Sequence, residues 1–167
     1  MSDIIRKPES EVLIRFPDCD PFNHLNNSRY IDYFINARED HLMKHYQFNI
    51  YQVAAEKGVS WVVGQHQIAY LRPALLMETV VIQSALIKFG EKDLLVEMTM
   101  WDKNKQQLKS LIWTTFVHYN FKTKKSEVHS EEFKQKFKLL EIPHEKEMSF
   151  EERIINLKKQ IQFFPTN

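Results

Sequence analysis

Glycine and cysteine are scarce in this sequence and neither sign of charge prevails, and each lack removes a class of function. Three glycines occur, Gly58, Gly64 and Gly90, too few and too scattered for the glycine-rich loops that cradle phosphates in P-loop or dinucleotide-binding proteins. The single cysteine, Cys19, has no intramolecular partner, so the chain shows no disulfide framework and no sign of an oxidising compartment. Twenty-three basic and 22 acidic side chains leave a formal charge of +1. Without a long-range field of either sign, nucleic acid is not expected as a partner. No stretch approaches the ~20 apolar residues that span a bilayer. Residues 1–10 carry Asp3, Arg6, Lys7 and Glu9 and lack the apolar run of a signal peptide. No membrane partner is expected, and the reading is a cytoplasmic protein.

What is present suits one packed domain. A chain of 167 residues buries roughly two thirds of its unfolded surface, and 43% apolar with 13% aromatic residues supplies a core. Residues 11–16 read as a strand stopped by Pro17 and Pro21. Asn26, Asn27 and Ser28 offer side-chain acceptors at a helix start. From Tyr30 the apolar residues Ile31, Phe34, Ala37 and Leu42 then recur at helical spacing through Tyr46. A shorter helix is predicted over 51–57, with Gly58 as its C-terminal cap. Beyond it, residues 59–63, 67–71, 79–88, 94–101 and 108–121 are rich in β-branched and aromatic side chains and read as strands. Residues 90–93 and 102–105 suit hairpins. A strand, a long helix and an antiparallel meander make an α+β domain with the helix on one sheet face.

After a solvated charge run at 122–125, two more helices are predicted. Phe133, Phe137 and Leu140 share one face of the first. The second opens with the capping box Ser149-Phe150-Glu151-Glu152 and continues through Ile154, Ile155, Leu157 and Ile161. This tail is expected to cover an edge or face of the sheet, or to make an oligomer contact, rather than to act as a lid.

Chemistry-bearing residues crowd into Arg15-Phe16-Pro17-Asp18-Cys19-Asp20-Pro21-Phe22-Asn23-His24-Leu25-Asn26-Asn27-Ser28-Arg29-Tyr30. A solvated Asp is ionised at neutral pH, and the first amides of a helix lack internal partners. Together they combine a base or nucleophile with donors for a developing oxyanion. An Asp beside Pro also makes turns, and Asp18 has the stronger turn-making case. His24 reads equally as a group that orients Asp20 or water and as a loop His bonded to backbone. His41 and His45 are four apart, but no Glu follows His41 and no third ligand is evident, so no metal site is expected. Between two acids the Cys19 thiolate is disfavoured. Trp61, Tyr70, Trp101, Trp113 and Tyr119 read as strand packing.

The D-C-D-P and N-H-L-N-N pattern ahead of a long helix resembles the motif of the 4-hydroxybenzoyl-CoA thioesterase-like branch of the hotdog-fold proteins. Tyr70-Leu71-Arg72-Pro73-Ala74 is similar to that family's Y-x-x-P-A strand end. The resemblance covers residues 10–121. It implies a hotdog fold over 1–121, a long central helix wrapped by a curved antiparallel sheet, with 122–167 as a helical C-terminal extension of the same domain. It further implies an acyl-CoA thioesterase that needs no cofactor, with acyl-ACP as a possible substrate. The family's catalytic acid falls on Asp20 and its carbonyl-polarising amide on Asn27; His24 is the further catalytic candidate, on its own position in the loop. Hotdog sites form between protomers, so a homodimer or homotetramer is implied, with Gly64, Gln65 and His66 as contributions to the partner's site. Arg72, Lys88 and Lys92 are the candidate contacts to coenzyme A phosphates.

Some positions depart from the family. Many relatives carry Gly where Asn23 stands, some a catalytic His at Asn27, and some a Tyr at Phe16. The basic hairpin of an aryl-CoA member is reduced here to Lys92, beside Gly90 and Glu91. A neutral amide at position 27 is no general base, so Asp20 must carry the proton chemistry. The rival readings are a non-catalytic acyl-thioester binding protein and, more distantly, a hotdog dehydratase.

Overall fold

The computed structural model describes residues 4–162. One antiparallel sheet is built from β1 (Glu9–Leu13), β2 (Val59–Tyr70), β3 (Thr79–Phe89), β4 (Asp93–Asp102) and β5 (Leu108–Asn120) in the order β1-β3-β4-β5-β2, and the short β6 (Lys125–Ser126) pairs with β5. The helices are α1 (Tyr30–Tyr46), α2 (Ile50–Lys57), α3 (Glu131–Leu140) and α4 (Phe150–Gln162). The curled sheet around α1 is the hotdog arrangement expected from the sequence.

Local signals explain most boundaries. Asn49 Oδ1 accepts the amides of Tyr51 and Gln52 at 2.9 and 3.1 Å and caps α2. Gly58 at φ 68° ends that helix in the left-handed region. At Ser149 the capping box closes reciprocally: the Glu152 amide donates to Ser149 Oγ at 3.1 Å and the Ser149 amide to Glu152 Oε2 at 2.7 Å.

Three expectations change. The two predicted strands 59–63 and 67–71 are one strand ending at Tyr70, because Gly64 is a single-residue bulge in an edge strand and Gln65 and His66 pair regularly with Thr115 and Thr114. The first strand runs 9–13 rather than 11–16, since Phe16–Asp18 turns into a short 3-10 helix with Pro17 in its first turn. Nor does an Asn or Ser side chain cap α1, whose N-cap is Arg29 with no side-chain bond. Asn26 Oδ1 accepts from the amide and hydroxyl of Ser28 instead, at 3.1 and 3.0 Å, and shapes the preceding turn.

Strand alternation divides the interior in two. On β4, Leu94, Val96, Met98 and Met100 join Tyr30, Phe34 and Ala37 of α1 and Phe133 and Phe137 of α3 in one core. Between them, Leu95 and Trp101 point to the opposite face, where Trp113, Phe150 and Leu157 make a second core under α4. The long helix lies on one face as expected, and the C-terminal extension, expected to cover a sheet edge or face, joins the first core through α3 and covers the outer face with α4.

That outer face carries a buried carboxylate. Glu97 of β4, 4% exposed, accepts a two-pronged contact from Arg153 of α4 at 2.8 and 2.7 Å, and the Trp113 indole N–H at 2.9 Å. Burial pushes the Glu97 carboxyl up, but contacts from His144, Arg153 and Trp113 outweigh it and hold the group at about 2. His144 Nε2 stands 3.5 Å away, so the shorter Arg153 fork is the main hold.

Candidate active site

Asp20 starts a tight loop that its own carboxylate closes. Its amide donates to His24 O at 2.8 Å and the Asn23 amide to Asp20 O at 3.1 Å. Asp20 Oδ1 accepts the amides of Phe22 at 2.9 Å and His24 at 3.1 Å. Among the described residues nothing donates to Oδ2. Asn23 sits at φ 61°, a left-handed position that Gly fills without strain and Asn tolerates, which accounts for Asn where relatives carry Gly. The loop is fastened to the segment after β2: the Leu25 amide donates to Ala74 O at 2.8 Å and the Leu76 amide to Asn23 O at 2.9 Å. The buried Tyr30 hydroxyl accepts the Ala74 amide at 3.1 Å, tying α1 to the same segment.

Asp18 is engaged structurally. Tyr33 Oη donates to its Oδ2 at 2.8 Å, and Arg29 Nε lies 3.7 Å from its Oδ1. Cys19 is half-buried and donates to Arg15 O at 3.4 Å. Burial and the flanking Asp18 and Asp20 charges push its thiol up, as expected for a residue that is no nucleophile.

Asn27 lies in the turn before α1, three residues ahead of Tyr30. Its carbonyl accepts the Tyr70 hydroxyl at 3.0 Å, while among the described residues its amide has no acceptor. Tyr70 stacks edge-on against Tyr30 with ring centroids 5.1 Å apart. Sequence reasoning read Tyr70 as strand packing and missed this clamp, although the Y-x-x-P-A pattern was the available signal. His24 is half-buried and its ring makes no hydrogen bond among the described residues.

The other site candidates are spread along the sheet. Arg72 is exposed and shares the Asp20 end, where its amide donates to Lys109 O at 3.1 Å. Gln65 and His66 lie mid-way along the β2 edge, His66 Nδ1 being 2.9 Å from Thr114 Oγ1. Burial pushes the His66 imidazole down. Lys88 and Lys92 belong to the opposite end, around the β3–β4 hairpin. Lys88 stands 3.6 Å from Glu147, and Lys92 is exposed. Exposed apolar side chains surround the Asp20 loop instead: Phe16, Phe22, Leu75 and Met77. Among the described residues no His, Cys, Asp and Glu group has metal-binding geometry, and no helix is long and apolar enough to cross a membrane.

The family model described as thioesterase-like superfamily matches residues 14–153. The chain is 27% identical over 128 residues, 77% of its length, to the long-chain acyl-CoA thioesterase FadM of Escherichia coli strain K12, of which it covers 95%. The structure of YbaW probable thioesterase from Escherichia coli superposes with a TM-score of 0.70 at 25% identity, covering 79% of this chain and 97% of that one. DHNA-CoA thioesterase from Staphylococcus aureus superposes with a TM-score of 0.70 at 14% identity, covering 92% and 94%, a likeness of fold. The chain belongs to the thioesterase-like superfamily, and it is a hotdog-fold thioester hydrolase.

Proposed function

We propose that this protein hydrolyses acyl-CoA thioesters with Asp20 as the essential carboxylate. The supporting observation is the division of labour at Asp20: two amides hold Oδ1, and Oδ2 has no donor among the described residues. A carboxylate held this way is pre-oriented yet still able to take a proton or attack. With Asp20 as base, water adds to the thioester carbonyl while Oδ2 takes its proton, and the carbonyl oxygen becomes an oxyanion. The Asn27 amide, held in place by Tyr70 through the carbonyl of the same residue, donates to that oxyanion. Collapse of the tetrahedral adduct breaks the C–S bond, and the Asp20 proton passes to the departing thiolate. If Asp20 instead attacks, its Oδ2 bonds to the acyl carbon as the C–S bond breaks and the thiolate leaves; water then hydrolyses the anhydride, regenerating the Asp20 carboxylate and supplying the thiolate's proton. His24, at the end of the loop, orients the water in either route.

Sheet geometry favours a two-chain site. Tyr70 pairs with Ser110 and Val62 with Val117, so at about 3.3 Å per residue the two ends of this stretch are roughly 25 Å apart. Arg72 belongs to the Asp20 end, whereas Lys88 and Lys92 belong to the other. The outer side of β2 is unpaired among the described strands. A second copy pairing its β2 antiparallel to the first would bring its own Lys88 and Lys92 hairpin toward the Asp20 end of its partner. Gln65 and His66 then lie at the centre of the contact.

The deciding experiment is thiol release from a panel of acyl-CoAs and acyl-ACPs, comparing the native protein with Asp20→Asn. Turnover should fall at least ~100-fold in the variant. An unchanged rate overturns the assignment of Asp20, and binding without any thiol release would favour a non-catalytic acyl-thioester binding protein.

A further inference from the structure

A cavity of about 690 Å³ lies under the second half of α1, away from Asp20. Ile35, Leu42, Phe48, Val96, Phe116 and Leu140 give it an apolar lining, and its volume is that of a small-molecule site. Its wall contains a charge that such a lining does not explain. Arg38 is 8% exposed, and its guanidinium donates to Ser84 Oγ at 3.2 Å. Among the described residues no carboxylate pairs with it, the nearby polar group being the neutral Tyr46 phenol. Glu39, also on the cavity wall, accepts instead from the Tyr51 hydroxyl at 2.7 Å.

Neighbouring groups do not supply the missing negative charge. Ser84 Oγ accepts from Arg38, leaving its own proton for His41 Nδ1 at 2.8 Å, and His41 Nε2–H points to Ser10 Oγ at 3.0 Å. Burial and the Arg38 charge push His41 down to about 4, so this relay is neutral at pH 7. One turn further along α1, His45 also lines the cavity, and its Nε2 is buried with no partner. A guanidinium keeps its proton even when buried, and an unpaired buried charge is costly. Arg38 and His45 therefore form a polar end in a largely apolar chamber, whose wall also carries Glu39, Lys44, Gln47 and Lys136.

We propose that this cavity binds an aliphatic chain carrying a carboxylate, the chain lying on the apolar lining and the carboxylate pairing with Arg38 and accepting from His45 Nε2–H. The carboxylate has two possible sources: a free fatty acid, or the far end of a dicarboxylic acyl thioester. Binding stands apart from the hydrolysis proposed above, and only the second source rests on that reading.

Calorimetric titration of the native protein with dodecanoate and with dodecanol, below their aggregation limits, tests the claim. Dodecanoate should bind at least ~10-fold more tightly, since a charge-assisted bond replaces a neutral one. Arg38→Met should abolish that preference and Arg38→Lys retain part of it, with circular dichroism confirming both folds. Equal affinities for acid and alcohol in the native protein overturn the proposal whether or not the variants fold, as does a preference that survives Arg38→Met. Hydrolysis then separates the sources. A higher kcat/KM for an ω-carboxyacyl-CoA than for the plain acyl-CoA, lost in Arg38→Met, supports the substrate, whereas dodecanoate binding without that preference supports the free acid. Absence of all hydrolysis would sink the thioesterase mechanism and leave the binding result intact.

Discussion

Replacing Arg153 with Met should strip the C-terminal helix of its strongest polar anchor without touching the Asp20 loop. Glu97 and Arg153 expose 4% and 14% of their side chains, so the substitution leaves a carboxylate buried and uncompensated, a loss of about 3–5 kcal/mol. The combined hold of His144, Arg153 and Trp113 on the carboxylate has a similar size. The Glu97 carboxyl lies at about 2 against an ordinary 4.5, a shift that at 1.36 kcal/mol per pH unit amounts to about 3 kcal/mol. Because the folded-state value is depressed, that contribution is complete above pH 4.5 and is lost as pH falls toward 2. For a chain of this size the melting temperature should drop by about 6–20 °C at pH 7. Scanning calorimetry from pH 7 to pH 2.5 is the assay, and in the variant the decline below pH 4.5 should flatten. The double replacement Glu97→Leu with Arg153→Met should recover much of the loss, because no charge is left buried. A drop under about 2 °C for the single variant, or a double variant no better than the single, would refute the reasoning.

Three further outcomes are expected. His41, 1% exposed and held at about 4 by burial and by Arg38 against an ordinary 6.5, should cost the fold about 3 kcal/mol as pH falls from 6.5 toward 4; denaturant titrations of His41→Gln should lack that decline, and an unchanged one would contradict it. Asn27→Ala keeps the backbone donor and should lower turnover less than ~10-fold, whereas Asn27→Pro removes it and should cost ~100-fold or more; equal losses in folded variants would assign the role to the side chain. Val63, 46% exposed on the free edge of β2, should tolerate Lys as a monomer only, so sedimentation should show a native dimer and a dissociated Val63→Lys variant; a native monomer at micromolar concentration would remove the two-chain site.

Where signals were local, the sequence was sufficient. The apolar period from Tyr30 to Tyr46 marks α1, Gly58 ends α2, and the Ser149–Glu152 reciprocity opens α4, because each depends on contacts within a turn or two of chain. The D-C-D-P motif likewise singled out the Asp20 loop, whose closing bonds span only residues 20–24. Distant pairings were not legible in this way. Tyr70 grips Asn27 across 43 residues, Arg38 meets Ser84 across 46, and Arg153 reaches Glu97 across 56. Nothing within the strand marks Glu97 as buried until α4 covers it, and Gly64-Gln65-His66 read as a break until β5 supplied partners on both sides of the Gly64 bulge. Strand register and helix placement decide such contacts, since a single-residue slip turns every side chain to the opposite face. Sequence alone therefore marked most of the elements and the Asp20 loop, while tertiary packing decided which charges were buried, which were paired, and that Arg38 faces a cavity without a carboxylate among its described neighbours.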